Sequence, residues 1–207
     1  MIDLYTDSSP NGFKATIALE ELRLPYRLHH VRIDGGEHRQ PSFLARNPHG
    51  RIPVISDDDT GITLFESAAI LLYLADKTGK LLPQVPRERW EAIKWLQFHT
   101  SSMGPILGQR VHFEVFAKDK IPSAIERYRN LTDDVFSVLD RRLADNSWLA
   151  GEEYSIADIA TFGWTHIAVI CGFTFKQHRN LSRWHKQLAE RPAVQRGISL
   201  PAPATGP

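Results

Sequence analysis

The chain has 207 residues, 42% of them apolar and 24% charged, enough for one large packed domain or two small ones. Its 25 lysines and arginines stand against 24 aspartates and glutamates; a net charge of +1 gives no field for gathering nucleic acid or an anionic membrane, and neither is expected as a partner. A lone cysteine, Cys171, excludes an internal disulfide, a Cys-x-x-Cys redox pair and a thiolate-rich zinc site, so any thiol chemistry must use a sulfur brought by a ligand. The start, Met1 to Tyr5, lacks the basic flank and apolar run of a signal peptide, and no apolar span reaches membrane length; the expected location is the cytoplasm.

Residues 1 to about 80 alternate between strand and helix signals. The pattern predicts a strand over Ile2 to Tyr5, a helix from about Gly12 to Leu22, a strand from about Arg27 to Ile33 and a short helix from about Ser42 to Arg46. Next come Arg51-Ile52-Pro53-Val54-Ile55 and Ile62-Thr63-Leu64-Phe65, a strand hairpin around Asp59-Thr60-Gly61, and a helix from Glu66 to Lys77. This βαβ, α, ββα order resembles the thioredoxin fold.

Leu81-Leu82-Pro83-Gln84-Val85-Pro86 reads as a linker, because closely spaced prolines interrupt a helix. Beyond it the chain is helix after helix, an all-α bundle over residues 87–200. Trp90, Ile93 and Leu96 mark the apolar side of a long helix expected to kink near Gly104-Pro105. A second long helix after Pro122 carries Ile125, Tyr128, Leu131, Val135, Val138 and Leu143 as its packing stripe. Ser155 to Asp158 has capping-box spacing and opens an apolar helix expected to enclose Cys171 as an inert buried side chain beside Val169, Ile170 and Phe173. Pro201 to Pro207 is expected to be a tail that does not pack.

Two segments carry chemistry. Pro53 cannot donate a ladder bond, which leaves the backbone N–H and C=O of Ile52 available to an extended peptide, the more so if the Ile52-Pro53 bond is cis. The helix start at Glu66-Ser67 offers N–H donors and a positive dipole end to a carboxylate, and the Glu66 carboxylate can meet an ammonium. Together they describe a pocket for a small zwitterionic peptide. Nine histidines form no His-x-x-x-His pair with an acidic neighbour, so no metal site is expected.

On Ile52-Pro53, Glu66-Ser67 and the Ser155-to-Asp158 capping box, in that order along a thioredoxin-then-helical layout, the chain resembles the glutathione transferase superfamily over everything before the tail. Ser8-Ser9-Pro10-Asn11-Gly12-Phe13-Lys14, with Gly36 to Arg39 and Asn47-Pro48, looks like the bacterial Nu class and the related fungal nitrogen regulator. That subgroup has Pro-Asn-Gly where other classes carry a catalytic tyrosine, cysteine or different serine. It departs from the class at His38 and Ser9, where members often have Gln and Thr. The resemblance implies glutathione as substrate, a homodimer, and reduction of small disulfides without a protein cysteine. Conjugation of an electrophile, weak peroxidase activity and a glutathione-binding regulatory module with little turnover stand as the alternatives.

A free thiol titrates near 8.5, so such an enzyme must favour the thiolate by about 2.7 kcal/mol to lower that value by about two units. Asn11 and Ser9, with Ser8 beside them, are donors at a helix start; Asn11 cannot be a base, so the expected role is stabilisation of the anion. The same residues also suit a plain cap and turn. Arg51 and His38, with Asn47, are candidates for the pocket rim, and Tyr5 is read as packing. His112, Phe113 and Arg127, with Tyr128, are candidates for a second-substrate pocket.

Overall fold

The computed structural model describes residues 1–202. Four strands, β1 (Ile2–Thr6), β2 (Tyr26–His30), β3 (Val54–Asp57) and β4 (Ile62–Phe65), form one sheet in the order β2-β1-β3-β4. β1 runs parallel to β2 and antiparallel to β3, and β3 pairs antiparallel with β4 across the expected hairpin. Helices α1 (Pro10–Leu22), α2 (Pro41–Leu44) and α3 (Ser67–Thr78) complete the thioredoxin-like arrangement. Its core is built from Leu4, Ile17, Leu19, Ile55, Ile70 and Leu74, all fully buried. β2 ends at His30, short of the expected Ile33, because the Asp7 side chain takes the Ile33 N–H at 2.9 Å and turns the chain away from the ladder.

The chain divides into two units, Leu81–Ala189 and a first unit in which Met1–Lys80 is joined by the segment from Glu190 onward. Residues 190–200, placed by the sequence in the helical part, return to the first unit as α9 (Pro192–Ile198). The physical reason is a close fit on α1. Thr16 Oγ1 donates to the Gly197 carbonyl at 2.7 Å, and Arg191 and Arg196 bind Glu21 and Glu20. A Cβ at Gly197 would stand 2.6 Å from Ile17. Pro201, expected in the loose tail, is buried; the rest of that expectation, from residue 203 on, lies outside the described residues.

The helical unit holds α4 (Pro86–Phe98), α5 (Gly104–Val111), α6 (Pro122–Ala144), α7 (Ile156–Ile170) and α8 (Arg179–Ala189). Between α4 and α5 a wide turn over His99–Met103, with the Gly104 N–H reaching His99, accommodates Pro105, which has no N–H to donate. The expected faces hold in part. On α4 Leu96 is buried as expected, with Ala92 beside it, while Trp90 is 67% exposed; on α6 Val135 and Leu143 are buried as expected, with Phe136 and Leu139, while Ile125, Tyr128 and Leu131 are half-buried. The linker residues Leu81 to Val85 belong with this unit, the Leu81 carbonyl accepting from the Ile156 N–H at 2.9 Å. Cys171 is only half-buried at the end of α7, and Val169 and Ile170 are exposed, so they do not enclose it as expected.

At the start of α7 the capping box is complete, and Asp158 is fully buried. Its carboxylate accepts from the Leu149 N–H, the Ser155 N–H, the Ser155 hydroxyl and Trp184 Nε1, all within 3.1 Å. No described helix is long and apolar enough to cross a membrane.

Candidate functional site

Ser9 caps α1 in extended backbone geometry, its Oγ accepting from the Gly12 N–H at 3.0 Å, and Pro10 sits in the first turn, where a missing N–H does no harm. The hydroxyl hydrogen remains free to donate outward. Gly12 permits the approach of this helix start to the end of β1: a Cβ there would lie 2.2 Å from the Asp7 carbonyl oxygen and 2.5 Å from Thr6 Oγ1. Asn11 follows the cap and presents its amide beside Ser9.

Ser9, Asn11, His38, Arg51 and Ile52 line one cavity of about 200 Å³, completed by Ile33, Arg39 and Gly50. Gly50 closes its floor at φ +65°, where a Cβ would meet the Arg39 guanidinium and the His38 carbonyl at about 3 Å. Ile52-Pro53 is a cis peptide immediately before β3; neither the N–H nor the C=O of Ile52 has a partner among the described residues. His38 is half-buried, and its Nδ1 lacks a partner among the described residues. Arg51 is exposed, its Nε bonded to His49 Nε2 at 2.8 Å. Asn47 does not join the rim. It is buried, donating to the Arg51 carbonyl and accepting from the His49 N–H, and so shapes the turn that delivers Arg51 and Ile52.

Glu66 and Ser67 lie outside the cavity lining but are tied to it through α1. Ser67 opens α3, and Glu66 immediately before it is exposed and held at φ +71°, a conformation unusual for a residue with a side chain. The link is Lys14, which the sequence reading did not single out. Its Nζ lies 2.9 Å from Asn11 Oδ1 and 3.2 Å from Ser67 Oγ, with the residue only 3% exposed. Burial lowers its pKa to about 7, against the opposing attraction of Glu66.

Tyr5 serves packing. Its ring lies against a small core of Val31, Phe43, Ile52 and Val54, stacks on His29 at 4.5 Å and carries the Arg46 guanidinium 4.5 Å above its centre. In the helical unit Phe113 and Tyr128 stack at 5.6 Å with His112 edge-on to Phe113. Arg127 is exposed and forms no ion pair among the described residues, whereas Arg110 and Arg129 both bind Glu114. Two larger cavities in that unit, about 420 and 520 Å³, each contain an ion pair in the wall, Arg142 with Glu91 in the first and His178 with Asp133 in the second. The smaller cavity is the candidate site because its polar groups are helix-start donors and strand-edge groups left for a ligand. No cluster of metal-ligating side chains occurs among the described residues.

Comparison with known proteins agrees with this layout. Residues 8–77 match the model for the glutathione S-transferase N-terminal domain, and residues 110–192 that for the C-terminal domain. The chain is 42% identical over 203 residues to the disulfide-bond oxidoreductase YfcG of Escherichia coli, covering 96% of this chain and 94% of that one. A glutathione transferase from Burkholderia graminis with two glutathione molecules bound per subunit superposes with a TM-score of 0.94 at 40% identity, covering 97% of this chain and 88% of that chain. One from Pseudomonas putida with one glutathione disulfide per subunit gives 0.90 at 38% identity, with 97% and 91% covered.

Proposed function

The chain belongs to the glutathione S-transferase family, and from that premise we propose that it is a glutathione-dependent disulfide-bond reductase of the Nu class. The observation that carries this reading is the cavity at the start of α1, where Ser9 and Asn11 offer donors to a sulfur in a unit that contains no cysteine. Glutathione pairs its backbone with Ile52 beside Pro53, and its γ-glutamyl carboxylate is received at Ser67 with Glu66 near the ammonium. Arg51 and His38 rim the site. The thiol loses its proton to solvent, and the thiolate is held by the Asn11 amide and the Ser9 hydroxyl.

That thiolate attacks one sulfur of a small disulfide, forming a mixed disulfide and expelling the other sulfur as a thiolate. A second glutathione thiolate then attacks the glutathione sulfur of the mixed disulfide, giving glutathione disulfide and releasing the remaining thiol. Two thiols are oxidised and one disulfide is reduced, with no protein cysteine in the cycle. Cys171 fits this exclusion, since burial raises its thiol pKa and leaves little thiolate.

The second substrate is assigned to the side of the helical unit bearing Phe113, His112, Tyr128 and Arg127, where stacked rings offer an apolar wall. A homodimer is supported by edge strand β4, which leaves Ile62 39% and Phe65 38% exposed. The cytoplasm, rich in reduced glutathione, suits a chain with one cysteine and no disulfide. The test is turnover with glutathione on a small disulfide, an organic hydroperoxide and an electrophilic aromatic halide. Fastest turnover of the disulfide is expected; fastest turnover of the halide would make conjugation the function.

A further inference from the structure

Amide oxygen and nitrogen differ in what they can meet, and a lysine ammonium resolves the choice. It has three donors and no acceptor, so the end of Asn11 that faces Lys14 at 2.9 Å must be Oδ1, and Nδ2 with both its hydrogens is turned the other way. The same logic holds at Ser67. Its Oγ lies 3.2 Å from the ammonium and accepts, so its hydrogen is free for a different partner. The two residues belong to different helices, α1 and α3, 56 positions apart as 67 is from 11, yet one buried side chain orients both.

We propose that Lys14 is the positioning residue of this site: its buried ammonium fixes Asn11 with the amide hydrogens toward the glutathione sulfur, and Ser67 with its hydroxyl hydrogen toward the glutathione carboxylate. The proposal rests on glutathione occupying the cavity as described above. Lys14 touches neither substrate nor reacting atoms. It acts through Asn11 and Ser67, and its charge couples the two ends of the ligand, because an anion at either end favours the ammonium and so helps orient the residue at the other. Among charged groups on the elements around α1, Glu66 is the one that acts on this ammonium. Arg191 just before α9 and Arg196 within it are engaged with Glu21 and Glu20, and Asp7 after β1 with His30 and the Ile33 N–H. A lysine this buried with two neutral partners is otherwise unexplained, since a methionine would fill the same space without desolvating a charge.

Thiolate absorbance against pH reads the pKa of bound glutathione in the native protein, Lys14→Met, Asn11→Ala and the double variant. Lys14→Met is expected to raise that pKa by about one unit, a tenfold loss of thiolate on the acid side. In the Asn11→Ala background the same change is expected to add little, because the amide it orients is gone. Full additivity across the cycle, or an unchanged pKa in folded Lys14→Met, would overturn the proposal. A native protein that leaves the thiol pKa of added glutathione at its solution value overturns the glutathione reading itself, and the role of Lys14 with it. The native chain labelled with ¹³C at lysine Cε gives a measurement free of any folding defect. Glutathione is expected to raise the titration midpoint of one lysine signal, and S-methylglutathione, which cannot form a thiolate, to raise it less. Equal shifts with the two ligands, or none, reject the coupling.

Discussion

Four charged side chains are buried among the described residues; Asp3 and Asp57 are ion-paired with Arg27 and Lys77, whereas Lys14 and Asp158, one in each unit, form no ion pair and are treated in opposite ways. Asp158 is surrounded by four donors, all belonging to the fold: two backbone N–H groups, a hydroxyl and an indole. Burial nevertheless pushes its pKa up to about 6, so it remains a charge that the helical unit tolerates in return for a fixed start to α7. Lys14 has two neutral acceptors and no carboxylate in contact, and burial takes its pKa down to about 7. One of its bonds ends on Asn11, which lines the candidate cavity, and the other on Ser67 at the start of α3. A buried charge whose bonds all return to the scaffold specifies structure; one with a bond to a group lining a cavity points to function.

The sharpest break in that comparison is Asp158→Asn. An amide offers one acceptor oxygen where the carboxylate offers two and places N–H donors against donors, so unfolding by urea should show a loss of about 3 kcal/mol or more. The native group binds a proton more readily than the unfolded chain between 3.8 and about 6, so its contribution to stability falls as pH rises through that window. The variant should lack that slope, and an unchanged slope would show that Asp158 does not titrate there.

Lys14→Met should do the reverse and stabilise. The native lysine titrates near 7 and the unfolded one near 10.5, so the penalty for burying it is complete below about 7 and is relieved as pH rises toward 10.5. Thermal melts below that lower value should show a gain of about 3 kcal/mol, desolvation relief less two lost hydrogen bonds, shrinking at alkaline pH while disulfide turnover falls. A variant equally stable at all pH values would remove the contrast with Asp158. Smaller is the effect of Glu66→Gln with Ser67→Ala: calorimetry should find glutathione bound about 1–3 kcal/mol more weakly, and unchanged affinity would disconnect the α3 start from the site. Smallest is Tyr5→Phe, which keeps the ring among Val31, Phe43 and His29 and removes only the hydroxyl. The pKa of bound glutathione should not move, and a large upward shift would make Tyr5 the sulfur's partner in place of Asn11.

The parts of the fold legible in the sequence were those governed by near neighbours. Ser9 followed by Pro10, the hairpin turn at Asp59 to Gly61, the proline at the head of β3 and the capping box each state their geometry within four residues. Site residues on such signals, Ser9, Asn11 and Ile52, do come together in one cavity. Lys14 was missed because a lysine inside a helix is ordinarily a solvated surface residue. The clue was its position as the one charged side chain in the otherwise uncharged run Gly12 to Leu19, three residues after Asn11. Trp90 was misread for the converse reason, an aromatic taken for core on spacing alone, when the partner that decides which side of α4 is buried lies elsewhere in the chain. The return of α9 was illegible because Gly197 has meaning only against Ile17.

That return sets an order of events during synthesis. The segment that seals the site-bearing unit emerges from the ribosome only after all of Leu81–Ala189, and the Thr16–Gly197 hydrogen bond closes a separation of 181 residues. Until then the growing chain presents an α1 whose outer apolar side is bare, while the helical unit already has its full sequence. Folding of that unit draws the ends of the long connection together and lowers the entropy to be lost when α9 docks. A ribosome stalled just short of Pro192 would therefore hold a nascent chain with the Ser9-to-Gly12 turn encoded, translated and still unbraced.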